Sequence, residues 1–379
     1  MQTRLIRSDD ELFSLRDAWN ALLESNPEID FPFYSWEWFS NSWKFFGASQ
    51  DAELFLYLVE EGDRLLGIFP LIRTISTRRF LRIRSLEFCN PGIIPRNTFL
   101  VDGAVAVESV CRTLWDSLIA DKEHWDMIAL SDIPEASPFY DYCLNELPER
   151  KISLIKTQGR QSPFVQLDGW SYDEFFTKKG DKDAKRRCNR VIEKAQEEDQ
   201  FWGMKIYQEE ADIQLGWNLS MEVRKESWKG PFKNPKYAEF YTNLCAELVA
   251  KKEVIIPILF YGKTPIAAQF ITGKNGIYFL HTNDYDMRFR EIGPGKSLLY
   301  YLLIHAFEQH WSVFDFTGSD YDYKKGLATG LNSHSTFQFF HRGWKSRLIF
   351  ESKVSLLPLV RKILKKPFQD DFPSVVRRF

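Results

Sequence analysis

The sequence predicts an α/β protein with mixed sheets, built as two similar halves in tandem. Three observations predict it. Each half runs helix, helix, hairpin, strand, helix, strand. Each hairpin turns at a glycine, Glu61-Gly62-Asp63 in the first half and Gly262-Lys263 in the second. The second half also joins a strand to a helix through a short glycine loop, in "RFREIGPGKSLLYYLL" at 288–303.

The first half opens with two helical stretches, "DDELFSLRDAWNALLES" and "FYSWEWFSNSWKFFG". The hairpin "ELFLYLVEEGDRLLGIFPLI" follows, then further strands, the helix "VESVCRTLWDSLIA" and the strand "WDMIALSDI". The second half places helices around 171–199, 211–228 and 235–251, then the hairpin "VIIPILFYGKTPIAAQFI". A strand over 276–283 alternates, with Ile277, Phe279 and His281 on one face and Tyr278, Leu280 and Thr282 on the other. In the helix over 296–310, Leu298, Leu299, Leu302, Leu303, Ala306 and Phe307 share one face, and the strand "VFDFTG" follows. The division expected is 1–168, 169–350 and a basic, proline-broken tail over 351–379, docked or frayed.

Composition bounds the function. A chain of 379 residues with 44% hydrophobic content can build two cores. A net charge of −2 gives no global argument for nucleic acid. The five cysteines, Cys89, Cys111, Cys143, Cys188 and Cys245, form no C-x-x-C pair, which reads as reduced thiols without a metal site. The opening "MQTRLIRSDDELF" has no apolar signal core, and no apolar run reaches membrane-spanning length. The expectation is a cytoplasmic protein.

The glycine loop contains Gly-Lys-Ser but is not a nucleotide P-loop. That motif needs a glycine at 290, where Arg290 stands. Arg290, Gly293 and Gly295 instead spell R-x-x-G-x-G between a strand and a helix. Glycines admit close approach to the backbone, and free N–H groups at a helix start attract an anion. A pyrophosphate fits, cradled by Arg290, Ile292, Gly293, Gly295, Lys296 and Ser297. The corresponding stretch of the first half, "FCNPGIIPRNTFL", lacks this pattern, and Pro91 and Pro95 have no N–H to donate. The first half is therefore expected to shape an acceptor cleft.

These residues carry a resemblance. The R-x-x-G-x-G loop resembles the acyl-CoA pyrophosphate loop of GNAT acyltransferases, and two such domains in tandem resemble the FemAB-like branch. "SYDEFFTKKGDKDAKRRCNRVIEKAQ", "YFLHTNDYDMRFREIGPGKSLLYYLLIHAF" and "FDFTGSDYDYKKGLA" are similar to CelD-type acetyltransferase-like proteins linked to cellulose and exopolysaccharide synthesis. The resemblance covers roughly 170–330. It implies two tandem GNAT-like domains, the second carrying the acyl-CoA loop. It also implies transfer of an acyl group to an amine on an amino sugar or another envelope precursor, with no metal. Association with polysaccharide-synthesis machinery is a further implication.

Such chemistry needs a base, a polarising donor and an acid. The resemblance implies that a backbone N–H of the strand before the loop polarises the thioester. His281 and Asp284 close that strand and could take a proton, though His281 also fits an ordinary hydrogen-bonded histidine. Asp284 and Asp286 also suit a turn. Asp315, between Phe314 and Phe316, fits either a cleft carboxylate or a paired structural one. Beyond it, Tyr323 could protonate a leaving thiolate, and Lys324 could bind a phosphate or carboxylate. On the acceptor side stand Arg186, Glu222, Trp228 and Asp284, with Arg224 on the same stretch.

The run Lys178, Lys179, Lys182, Lys185, Arg186, Arg187, Arg190 admits a rival donor, since FemAB-like relatives draw aminoacyl groups from tRNA. Interspersed Asp181, Asp183, Glu193 and Glu197 equally suit a solvated face. A non-catalytic scaffold is the third reading. H-E-x-x-H, G-x-S-x-G and metal-ligand spacings are absent from the sequence.

Overall fold

The helix expected at 107–120 forms over Val107–Ala120 and buries Val110, Cys111, Leu114, Trp115 and Leu118, a helical repeat of apolar residues. It belongs to a computed structural model that describes residues 1–26, 32–47, 52–78, 81–90, 92–94, 96–179, 182–318, 322–356 and 373–378. Pro91 and Pro95 lie outside the described residues. The chain divides into two units, Met1–Arg160 with Asn332–Phe379, and Gln161–Leu331.

In the first unit, an antiparallel sheet runs in the order Gln2–Ile6, Leu56–Glu61, Arg64–Phe69, Leu100–Val101. The hairpin turns at Gly62, whose φ of 60° suits glycine. A second set of strands pairs Leu71–Arg78 with Leu81–Phe88, and Leu81–Phe88 in parallel with Met127–Pro134. Their shared core includes Trp115, Trp125, Phe139, Phe337 and Phe339. Phe337 and Phe339 come from the strand Gly330–Phe340, which pairs with Met127–Pro134 from His334 onward. This return explains why the division differs from the expected boundaries at 168 and 350. The chain re-enters the first unit before the last strand ends. Of the tail, Pro373–Arg377 pairs with the strand Ser153–Gln166.

The second unit begins with α1 (Tyr172–Lys178), closed by a capping box between Ser171 and Glu174. In α2 (Lys182–Glu197), Cys188, Val191 and Ala195 are buried. Next come β1 (Trp202–Tyr207), α3 (Ile213–Lys225), α4 (Lys236–Val249), β2 (Val254–Tyr261), β3 (Thr264–Lys274) and β4 (Ile277–Tyr285). Then follow α5 (Pro294–Glu308), β5 (Val313–Asp315) and α6 (Asp322–Leu327). The strands lie in the order β1-β2-β3-β4-β5. All neighbours are antiparallel except β4 and β5, which flank α5 in a βαβ unit.

Neighbouring residues of β3 show the two covered faces. Ile271 packs in a core with Leu280, Leu299, Leu302 and Leu303, the face of α5. Phe270 meets Trp217 of α3 and Tyr241 of α4 on the other. The expected alternation of β4 breaks at His281. Ile271 lies opposite Leu280 while Phe270 lies opposite Thr282, so His281 is the extra residue of a β-bulge. Thr282 therefore leaves the face of Leu280 and joins that of Phe270.

Candidate functional site

The bulge sits where β4 loses a neighbour. β5 pairs with β4 only from Ile277 to Phe279, while β4 runs on to Tyr285. At the parting point Thr317 Oγ1 donates to the Leu280 carbonyl. The end of β4 thus projects past its parallel partner, and the glycine loop begins one residue later.

The loop is built from its own side chains. Asp286 accepts from the Arg288 N–H at 2.9 Å, starting the 3-10 turn Met287–Ile292. Asp286 thereby has the turn role its residue type suggests, whereas Asp284 is a strand residue inside β4. Gly293 follows at φ 61°, ψ 51°, a left-handed conformation that favours glycine. Its carbonyl accepts from the Lys296 and Ser297 N–H groups, both at 3.1 Å. Pro294 opens α5, where a missing N–H costs nothing. Among the described residues, the Gly295 N–H meets no carbonyl. The positive end of a fifteen-residue helix lies behind it.

This helix start forms the floor of a pocket of about 380 Å³ lined by Trp228, Asn283, Tyr285, Arg290, Gly293, Gly295 and Lys296. Arg290 is exposed at its edge, 3.1 Å from Glu291. A Cβ on Gly295 would stand 3.2 Å from Tyr285 Cδ1, so the bare glycine keeps the floor open. Two cationic side chains, an available N–H and a bare backbone fit a pyrophosphate. The expected cradle residues divide here. Arg290, Gly293, Gly295 and Lys296 line the pocket, Ile292 packs against Leu259, Ile266 and Leu298, and Ser297 is buried with Oγ on the Gly293 carbonyl.

A polar cluster lies further along β4. Asp284 is buried; its Oδ2 takes Arg224 Nη1 at 2.9 Å and its Oδ1 lies 3.0 Å from Lys229 Nζ. Lys229 Nζ also donates to the Asn283 carbonyl at 2.7 Å. Arg224 in turn covers the Phe232 ring at 3.8 Å. Lys324 is buried and donates to the carbonyls of Phe316 and Thr317 at 2.9 and 2.8 Å. Burial pulls its ammonium down to about 8, opposed by the charge of Asp315 and reinforced by that of Lys229. Asp315 is itself buried and accepts from the Thr317 N–H at 2.7 Å.

Asp284 is held by Arg224 and Lys229, while Asp315 binds the backbone of Thr317 and Lys324 that of Phe316 and Thr317; the sequence alone suggests no role for Lys229. Its neighbour Trp228 is 65% exposed. Nothing in the sequence ties position 229 to 284, so only the fold reveals the pair. His281, the bulged residue itself, is half-buried, its Nε2 2.7 Å from Thr272 Oγ1. Glu222 is exposed on α3, and Arg186 is exposed on α2 beside Lys185 and Arg190; these do not line the pocket. Tyr321 and the side chain of Tyr323 lie outside the described residues. Among the described residues no cluster of His, Cys, Asp or Glu could hold a metal ion. None of the described helices is long and apolar enough to cross a membrane.

Comparison with known proteins bears on the domain and the fold. Residues 182–325 match the family model of the acetyltransferase (GNAT) domain, which spans the pocket and the polar cluster. No curated protein matches this chain in sequence. Among solved structures, FemX is similar with a TM-score of 0.59 at 12% identity, over 93% of this chain and 99% of that one. The C-terminal domain of a putative lysylphosphatidylglycerol synthetase from Agrobacterium fabrum gives 0.53 at 10% identity, over 92% and 98%. L-PGS from Bacillus licheniformis gives 0.50 at 11%, over 92% and 96%. At such identities the likeness is one of fold. The protein has a mixed α/β fold similar to that of FemX, and its residues 182–325 match an acetyltransferase (GNAT) domain.

Proposed function

We propose that this protein transfers an acyl group from acyl-CoA to an amine, and that the pocket at the start of α5 takes the donor's pyrophosphate. The observation that carries this reading is the bare Gly295 floor between Arg290 and Lys296. The end of β4 that extends past β5 would then receive the thioester, whose carbonyl a strand N–H polarises. The acceptor amine must lose a proton to attack, and His281 and Asp284 are the nearest proton acceptors along β4. Asp284 is already paired with Arg224 and Lys229, so its carboxylate would serve to position the end of β4. Lys324, titrating near 8, and Tyr323 beside it in α6 would supply positive charge or a proton to the departing thiolate. Trp228, exposed at the pocket edge, could stack on a sugar ring. An amino sugar or other exopolysaccharide precursor, as in CelD-type proteins, is the acceptor proposed.

A second reading has aminoacyl-tRNA as donor. The observation that favours it is the exposed basic row Lys185, Arg186 and Arg190 on α2. Thermal-shift measurements with CoA, acetyl-CoA and long-chain acyl-CoAs decide between them, because a ligand bound to the folded state raises the melting temperature. The acyl-CoA reading predicts a saturable rise with CoA and no specific tRNA binding at low salt. Saturable, strongly salt-dependent tRNA binding with no response to CoA would reverse the order.

A further inference from the structure

Far from the pocket in sequence, the short helix Trp344–Glu351 presents an apolar pair to solvent. Trp344 is 75% exposed and Leu348 49% exposed, four positions apart and therefore on one face. The opposite face is firmly seated. Ile349 and Phe350 pack with Ile83, Ile155 and Phe340. Lys345 Nζ lies 2.8 Å from Asp126 Oδ2, and Ser346 Oγ donates to the Asp126 carbonyl at 2.6 Å. The helix is thus held at its inner side while two large apolar side chains stay outside.

The surroundings of this pair are cationic. Arg342 and Arg347 are exposed on either side of Trp344, and Arg378 reaches Glu351 at 3.3 Å. Trp344, Leu348, Phe350, Arg347, Glu351 and Arg378 line a cavity of about 660 Å³. The Trp344 indole N–H has no acceptor among the described residues. Charge in the sequence is equally lopsided. The described residues 342–356 and 373–378 hold six Lys or Arg against one Glu, in a chain of net charge −2. An indole with a free N–H, an aliphatic neighbour and flanking guanidiniums suit one environment in particular. The rings enter the acyl boundary, the N–H meets the polar layer, and the guanidiniums meet phosphates.

We infer that the outer face of Trp344–Glu351 docks the protein on an anionic lipid surface. A neutral protein groove would satisfy Trp344 and Leu348 but leave the concentration of positive charge without a counterpart. The contact is peripheral, two apolar side chains deep, and depends on both apolar burial and charge.

The test is co-sedimentation of the full chain with vesicles of phosphatidylcholine alone or with about one third phosphatidylglycerol. The wild type should bind the anionic vesicles, bind the neutral ones poorly and detach with salt. The double substitution Trp344→Ala/Leu348→Ala should weaken binding about tenfold or more. Arg342→Glu/Arg347→Glu, confined to exposed positions, should do the same without touching the apolar pair. Quenching of wild-type tryptophan fluorescence by brominated phosphatidylglycerol checks the contact without any substitution. No binding to anionic vesicles, or binding that both double variants leave intact, would overturn the inference. A wild-type dimer that Trp344→Ala/Leu348→Ala converts to a monomer would also overturn it and give the face to a second copy of the chain.

Discussion

Arg224 Nη1 lies 2.9 Å from Asp284 Oδ2, which ties α3 to β4 across 60 positions of sequence. The carboxylate is buried, and Lys229 reaches its other oxygen at 3.0 Å. One anion therefore holds two cations at the end of the strand that enters the proposed site. Removing it leaves both cations without their partner in a partly dry setting, which costs about 3 kcal/mol. Asp284→Ala should lower unfolding stability by about that amount, and Asp284→Asn by less, because it keeps the shape and hydrogen-bonding capacity. Urea denaturation of the three proteins checks this. An alanine variant as stable as the wild type would mean that the carboxylate holds nothing together.

Lys324 gives a pH dependence with a definite sign. Its folded value near 8 lies below the ordinary 10.5 because burial disfavours the charged form. Between those values the unfolded chain holds the proton and the folded one releases it. Stability therefore rises with pH across that window, and the full penalty applies below it. From pH 7.5 to 9.5 the gain should be about 2 kcal/mol relative to Lys324→Met, which cannot titrate. Paired denaturation curves at the two pH values read this difference directly and cancel the other titrating groups. Parallel behaviour of the two proteins would place the lysine in a wetter environment than its contacts with the Phe316 and Thr317 carbonyls imply.

Much of the second unit was legible because its signals are local. The apolar repeat from Leu298 to Ala306 marks α5, and Gly262 marks the hairpin between β2 and β3. Arg290, Gly293 and Gly295 fall within six positions, so the pocket floor could be read as a unit. The rest depends on long-range pairing. A β-bulge carries no single-residue signature, so simple alternation assigns Thr282 to the face of Leu280, whereas the observed register puts it opposite Phe270. Asp284 looks like a turn residue beside Asn283 and Asp286, yet Arg224 and Lys229 neutralise it inside a strand. The strand Gly330–Phe340 reads like any alternating segment, and only its pairing with Met127–Pro134 returns it to the first unit.

The contact between His281 Nε2 and Thr272 Oγ1, 2.7 Å, invites a third measurement. Thr272 is fully buried on β3, and the bond fixes the imidazole beside Phe270. Thr272→Val removes the hydroxyl at nearly constant volume and should cost about 1 kcal/mol of stability. Acyl-CoA affinity should stay unchanged, since neither residue lines the pocket proposed for the donor. Turnover should fall severalfold with a displaced pH profile, because the imidazole loses its orientation. An unaltered kcat and pH profile would leave His281 with a packing role alone.

The two loop glycines separate a phosphate cradle from a structural turn. Gly293 has φ 61°, so Gly293→Ala forces a side chain into a left-handed conformation that costs about 1–2 kcal/mol. Its melting temperature should drop by several degrees while CoA still raises it. Gly295 has a different problem. Its added Cβ would stand 3.2 Å from the edge of the Tyr285 ring, a small adjustment for a half-buried side chain. In Gly295→Asp the carboxylate would extend into the space between Arg290 and Lys296 and meet the positive end of α5. That placement favours the helix by a few tenths of a kcal/mol to about 1 kcal/mol, so the fold survives. The same charge occupies the position proposed for a phosphate and repels it. Gly295→Asp should therefore melt close to the wild-type temperature and show no shift with CoA. The reverse pattern, a destabilised Gly295→Asp that still binds CoA with full affinity, would move the donor site away from this helix start.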